Sequence, residues 1–315
     1  MQIPDYKDVL AAHERIRPWI HQTPVLTSSY FNERTGAELF FKCENFQKAG
    51  AFKARGATNA VFGLPQESLA AGVATHSSGN HALSLAYAAG ARGIPCHVVM
   101  PHTAPQAKKD AVMGYGGQIT ECEASTSARE AAFAELQART GADFVHPYND
   151  PRVIAGQATC SRELVQQVSE LDVVIAPIGG GGMISGCCLT LTAIAPETAI
   201  YAAEPQQADD AARSLKAGRL IADDAPQTIA DGLKVPMKDL TWHFVREHVT
   251  DILTVDEQSI IDAMRLVWQR MKIVIEPSCA VPVAAILNNP NVFANKRVGI
   301  IITGGNVDLE RLPWQ

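Results

Sequence analysis

Four consecutive glycines, Gly179, Gly180, Gly181 and Gly182, follow the apolar run VVIAP and precede a helical pattern. That order lets several backbone N–H groups converge on an anion at a helix N-terminus, so the segment reads as a phosphate cradle. Two further glycine-containing turns, Ser77 to Asn80 and Gly304 to Asn306, also stand where a strand is expected to end and a helix to begin. Open α/β sheets place ligands at such ends, and three of these turns point to one shared cleft. A nicotinamide-binding fold competes, because Glu204 follows the glycines at about the distance of a ribose-binding acid. The spacing rejects it. Gly-x-Gly-x-x-Gly from Gly179 requires glycine where Ile184 stands, from Gly180 where Ser185 stands, and no Walker Lys-Ser/Thr follows.

Other residues carry chemistry only in context. Lys53 lies in ENFQKAGAFKARGATNA between Phe52 and Arg55, and a lysine is by default a solvated surface residue. The Ser-Ser-Gly-Asn run ending at Asn80 fits a helix N-cap unaided, and Thr303 is a β-branched residue at the end of VGIIIT. The pair Glu204 and Asp210 has the ligand type of a hard cation, although acidic pairs are more often solvated loop charges.

The elements that must position these residues are short β-branched runs alternating with Ala/Leu-rich helical patterns. Strands are predicted over Gly72 to His76, Cys96 to Met100, Gln118 to Cys122, Val173 to Pro177, Ala199 to Ala203 and Val298 to Thr303. Such alternation implies an α/β fold of parallel sheets wrapped by helices. The 315 residues, 47% of them hydrophobic, suffice for two ordinary domains, yet no Pro/Ser linker or repeat marks a boundary. With 27 Lys+Arg against 33 Asp+Glu and no basic block, nucleic acid is not an expected partner. No apolar run reaches the length of a membrane span, and the first twenty residues lack a signal-peptide pattern. The seven cysteines are scattered without CxxC or zinc spacing, which implies free thiols and a cytoplasmic protein.

Seven segments occur in a fixed order: FKARG, THSSGNHA, PIGGGGM, AAEPQQADD, TIADGLK, IEPS and TGGNVD. In these the chain resembles the fold-type II pyridoxal 5′-phosphate (PLP) enzymes of the serine racemase and serine/threonine dehydratase family, threo-3-hydroxyaspartate dehydratases included. The resemblance implies two open, twisted, mostly parallel sheets. It places a large domain at residues 1–71 and 149–315 and a small one at 72–148. It makes Lys53 the residue that binds PLP covalently, with Phe52 on one cofactor face and Asn80 on the pyridoxal 3′-oxygen. Gly179 to Gly182 with Met183 would hold the phosphate, and Thr303 would meet the pyridine nitrogen. Ser77, Ser78, Gly79, Asn80 and His81 would grip the substrate carboxylate, with no proton-transfer role for His81. Glu204, the Ala208 carbonyl and Asp210 would hold Mg2+, or Mn2+ or Ca2+. Related enzymes are commonly homodimers, so a homodimer is expected.

The implied reaction is loss of ammonia from a small β-hydroxy amino acid (serine, threonine or 3-hydroxyaspartate), leaving a 2-oxo acid. Racemisation requires a second acid/base opposite Lys53, and Ser78 matches the position that supplies it in serine racemases, against a role confined to loop hydrogen bonding. Two departures from the mammalian racemase pattern stand near the cleft. Ala82 and Leu83 replace a Gly-Gln pair, which argues against a nucleotide effector site. Tyr148 in HPYNDP replaces asparagine, which alters the substrate side-chain pocket and suits a hydroxyaspartate dehydratase. Little chain follows the last motif, so no regulatory domain and no isoleucine feedback are expected. The competing functions are a β-replacement synthase and a non-catalytic amino-acid-binding protein on the same fold.

Overall fold

The computed structural model describes residues 2–222 and 226–314. Among the described residues ten strands form two sheets: β1 (Val25–Leu26), β2 (Glu38–Cys43), β3 (Val73–His76), β4 (Cys96–Pro101), β5 (Gln118–Cys122), β6 (Asp143–Phe144), β7 (Val173–Pro177), β8 (Ala199–Pro205), β9 (Asp251–Val255) and β10 (Arg297–Ile302). The large sheet has the order β1-β2-β10-β7-β8-β9 and is parallel except for β1. The small sheet, β5-β4-β3-β6, is wholly parallel.

Parallel sheets are covered on both faces, and the central strands read accordingly as unbroken apolar runs. β7 is buried at every residue and β10 at all but Arg297. One face of the large sheet packs on the helices Glu257–Met271 and Pro277–Asn288, the other on Pro151–Gln167 and Gly182–Ile194. The six predicted strands are present, with ends displaced by a residue or two. β1, β2, β6 and β9 were not foreseen. β1 and β6 are two residues long, and β2 hides a charge, since Lys42 is fully buried within it.

That charge belongs to an internal network. Lys42 Nζ donates to Glu163 (2.7 Å), to the Thr23 carbonyl (2.8 Å) and to Gln167 (2.9 Å). Arg55 donates from Nε to Glu44 (2.7 Å) and from Nη1 to Glu163 (2.8 Å). Buried charges are tolerated when every member is paired in this way. The network pins the helix Lys53–Phe62 two residues beyond Lys53.

All four strands of the small sheet lie between residues 73 and 144. Its core nevertheless takes Ala57, Ala60 and Val61 from the Lys53 helix, Leu64 from just beyond that helix's end, and Val153 from Pro151–Gln167. A small domain at 72–148 is therefore proposed as a unit of the sheet, with packing that crosses both of its borders. All seven cysteines are free thiols. Among the described residues no helix is long and apolar enough to cross a membrane.

Candidate active site

The tetraglycine turn joins β7 to the helix Gly182–Ile194, and no side chain caps that helix. Gly181 has φ +85°, which favours glycine, and its neighbours are small for another reason. A Cβ on Gly180 would fall 2.5 Å from Tyr148 Cδ1, and one on Gly182 2.9 Å from Tyr148 Cβ. The result is an uncapped helix start approached by bare backbone, with Met183 buried on its first turn. Helix dipole and open amides favour an anion there.

Lys53 opens its helix, and its amine donates to the Pro147 carbonyl at 2.6 Å while lying 5.1 Å from the centre of the Phe52 ring. Pro147 precedes the tyrosine that lies on Gly180, so amine and cradle meet through one short segment. Burial pulls the Lys53 amine down to about 8, opposed by the charge of Glu276. The Phe52 amide donates to the Thr303 carbonyl (2.9 Å) and Ala51 bridges to Gly304, fixing the start of the Lys53 helix to the end of β10.

The Ser77 to His81 loop follows β3. Its asparagine is not the helix cap that its local sequence suggests: Gly79 takes the cap position without a side-chain bond. Asn80 Nδ2 instead donates to both carboxylate oxygens of Glu276 (2.8 and 3.1 Å), and Asn306 Nδ2 donates to Asn80 Oδ1 (2.9 Å). Ser78 is half-buried. His81 is buried and donates from Nε2 to the Val145 carbonyl (2.9 Å). Burial, with the nearby Lys53 charge, pushes its imidazole down to about 3, so it is neutral.

The third glycine turn reaches the same cleft but, contrary to expectation, no helix follows it. Gly305 donates to the Gly50 carbonyl (2.9 Å) and Asn306 Nδ2 to the Ala49 carbonyl (2.8 Å). Thr303 is buried, with Cys279 Sγ 3.2 Å from its hydroxyl.

Sequence reasoning assigned no role to Glu276, Asn306 or Arg129. Burial, with the Asp231 charge, pushes the Glu276 carboxyl up to about 7. The IEPS motif contains this residue, but nothing local marks it as a partner for Asn80. Arg129, on the helix Thr126–Thr140, is half-buried; its Nε is enclosed with no hydrogen-bond partner, and it forms no ion pair among the described residues. Its charge acts on His76 and on Tyr148. His76 stands 6.4 Å from His146, which stacks edge-on against Tyr148 at 4.6 Å.

Beyond the cradle, at the end of β8, Glu204 is fully buried and accepts from the amides of Ala211 (3.1 Å) and Ala212 (2.9 Å). It thus caps the helix that begins at Asp210, a function the sequence did not announce. Burial, with the Asp210 and Asp209 charges, raises its carboxyl to about 9. No group of three or more His, Cys, Asp or Glu able to hold a metal occurs among the described residues. The expected set has two carboxylates and a carbonyl, hard oxygen donors that suit a divalent cation completed by water.

A family model described as pyridoxal-phosphate dependent enzyme matches residues 16–304. The β-hydroxyaspartate dehydratase of Paracoccus denitrificans (strain Pd 1222) is 70% identical over 314 residues, covering 100% of both chains. The crystal structure of serine racemase from Dictyostelium discoideum is 48% identical, with a TM-score of 0.93 over 97% of this chain and 99% of that one. That of a pyridoxal 5′-phosphate-dependent aspartate racemase is 38% identical, with a TM-score of 0.94 over 100% of both.

Proposed function

The chain belongs to the family of pyridoxal-phosphate dependent enzymes, and from that premise we propose that it is an ammonia-lyase for a small β-hydroxy amino acid, with 3-hydroxyaspartate preferred over serine and threonine. The residues present fit the cofactor. A glycine turn at an uncapped helix start, with its amides open, suits a phosphate, and an amine held near 8 suits a covalent link to an aldehyde. When bound, PLP supplies an electron sink for negative charge at the substrate Cα.

Lys53 carries the reading. Its amine would hold the cofactor and would move the proton at the substrate Cα. Asn80 would lie toward the cofactor's 3′-oxygen, Phe52 toward one face of its ring, and Thr303 would offer its nitrogen a neutral hydroxyl, which favours loss of the β-substituent. The Ser77 to His81 loop holds the α-carboxylate, with His81 neutral and fixed by Val145. Loss of the β-hydroxyl and hydrolysis of the released product leave ammonia with oxaloacetate, pyruvate or 2-oxobutanoate, according to the substrate.

Arg129 supports the preference for a dicarboxylic substrate. A cation with an enclosed, unpartnered Nε beside the His76–His146–Tyr148 ring series is what a second carboxylate requires. Racemisation is a second reading, supported by Ser78 and by the racemases among the similar structures. Glu204, the Ala208 carbonyl and Asp210 hold Mg2+, Mn2+ or Ca2+ beside the cradle, and the enzyme acts as a cytoplasmic homodimer.

A panel of the three substrates, as separate enantiomers, read out as ammonia, keto acid and chirality, tests this reading. Hydroxyaspartate should give the highest kcat/KM, and chelation should lower the rate until Mg2+ is restored. Cysteine formed from sulfide and an activated serine at a rate above keto-acid release would indicate a β-replacement synthase instead. No turnover of any member would indicate a binding protein.

A further inference from the structure

The helix Lys53–Phe62 and the helix Pro151–Gln167 touch backbone to backbone at two glycines. A Cβ on Gly156 would fall 2.6 Å from Gly56 Cα and 2.7 Å from the Arg55 carbonyl, and one on Gly56 would fall 2.7 Å from the Val153 carbonyl. Enlarging either glycine therefore forces the helices apart. Beside the crossing, the Gly56 amide donates to Gln157 Oε1 (3.2 Å) and Asn59 Nδ2 to the Arg152 carbonyl (2.7 Å).

Arg55 locks this crossing. Its side chain is fully buried and makes two forks: Nε and Nη2 donate to the two oxygens of Glu44 (2.7 and 2.8 Å), and Nη1 and Nη2 to those of Glu163 (2.8 Å each). Nη1 also donates to Thr159 Oγ1 (3.1 Å), so all five guanidinium donors are used, and the bonds to Glu163 and Thr159 land on Pro151–Gln167. A fork fixes direction as well as distance, which opposes both sliding and rotation of the Lys53 helix on its neighbour.

The same neighbour carries the partner of the Lys53 amine. Pro147, whose carbonyl accepts from Lys53 at 2.6 Å, stands just ahead of Pro151 in a tight turn. There the Tyr148 and Asn149 amides donate to His146 Nδ1 (3.3 and 2.9 Å), and Asp150 caps the helix through the Arg152 amide (2.8 Å). The other titratable groups acting on the amine are Glu276, at the start of Pro277–Asn288, and the neutral imidazoles of His81 and His146.

We infer that Arg55 is a positioning residue: by clamping the Lys53 helix onto Pro151–Gln167, it keeps the Lys53 amine enclosed against the Pro147 carbonyl and away from water. The inference deepens the role proposed above for Lys53 and rests on it. Because burial is what lowers this amine, a loosened clamp that admits water should return it toward the ordinary lysine range.

The test measures, in apoprotein, the pH midpoint for acetylation of Lys53 by acetic anhydride, read by peptide mapping, beside stability from chemical denaturation. Wild type is compared with Arg55→Lys, Gly156→Ala and Lys42→Met. Arg55→Lys keeps the charge without the fork, and Gly156→Ala separates the helices while leaving every charged side chain in place. Both should raise the midpoint by about one unit, a roughly tenfold loss of free amine at neutral pH. Lys42→Met removes a member of the same network whose hydrogen bonds do not reach the Lys53 helix, so it should lower stability and leave the midpoint unmoved. If Arg55→Lys and Gly156→Ala cost stability without moving the midpoint, or if Lys42→Met moves it as far, the network serves folding alone and the inference falls. Should Arg55→Lys fail to fold, Gly156→Ala decides by the same criterion. The measurement needs no cofactor, so it is separate from whether Lys53 carries PLP, which borohydride labelling of the holoprotein decides.

Discussion

The two walls of the cleft differ in kind. The wall built on the large sheet, with Glu276, Thr303 and the glycine turn, is buried and held by bonds between distant segments. On the wall built on the small sheet, Ser78 and Arg129 are half-buried. Among the polar links that join them are Lys53 to the Pro147 carbonyl, Asn80 to Glu276 and Asn306, and the exposed pair Lys108–Asp231 at 2.7 Å. The contrast teaches a division of labour. Groups whose pKa must be displaced are placed where water is excluded, and groups that choose among substrates are placed where the wall can adjust.

Substitutions on the half-buried wall should therefore alter selectivity while sparing the chemistry. The largest effect is expected for Ser78→Ala, which should lower racemisation by about a thousandfold, as loss of a general acid/base does, and keep most elimination of one enantiomer. Chiral chromatography beside a keto-acid assay reads both. Equal loss of both activities with PLP still bound would make Ser78 a substrate-positioning group. Arg129→Gln should next reduce kcat/KM for hydroxyaspartate about a hundredfold and change that for serine less than about threefold. An equal fall on both substrates would remove Arg129 from the specificity wall.

At Lys53, itself half-buried, the expected signature is pH. With its native pKa lowered to about 8, Lys53 gains neutral amine about tenfold per unit as pH rises toward that value, then saturates. Cofactor uptake by the apoprotein should follow that curve, whereas an ordinary lysine would keep accelerating beyond pH 10. The unfolded chain binds this proton more tightly, so Lys53 also destabilises the apoprotein below pH 8, and stability is regained as pH rises from 8 toward 10.5. The smallest effect belongs to the link between the walls. Lys108→Ala should change stability by less than about 1 kcal/mol, because an exposed pair is screened by solvent. Chemical denaturation measures it, and a larger loss would mean that the walls are coupled.

The same contrast separates what the sequence makes legible from what it conceals. β7 and β10 announce themselves because burial on both faces demands unbroken apolar runs. β2 does not, since Lys42 interrupts its pattern and finds its carboxylate at Glu163, 121 residues away. The glycine turn is visible because its chemistry needs particular residue types in a local pattern, whereas Lys53 stands out only through the family resemblance. Glu276 and Arg129 are not visible, because neither has a local signature. Asn80 meets Glu276 across 196 residues, and a caplike sequence disguised it.

The account depends most on Lys53 as the group that links the cofactor and moves the proton. Borohydride reduction of the holoprotein, followed by peptide mapping and turnover assays of wild type and Lys53→Ala, tests that claim directly. Wild type should carry the reduced cofactor on Lys53, and Lys53→Ala should lose both that label and turnover by at least about a thousandfold. A label on another lysine, or a Lys53→Ala enzyme with full activity, would contradict it.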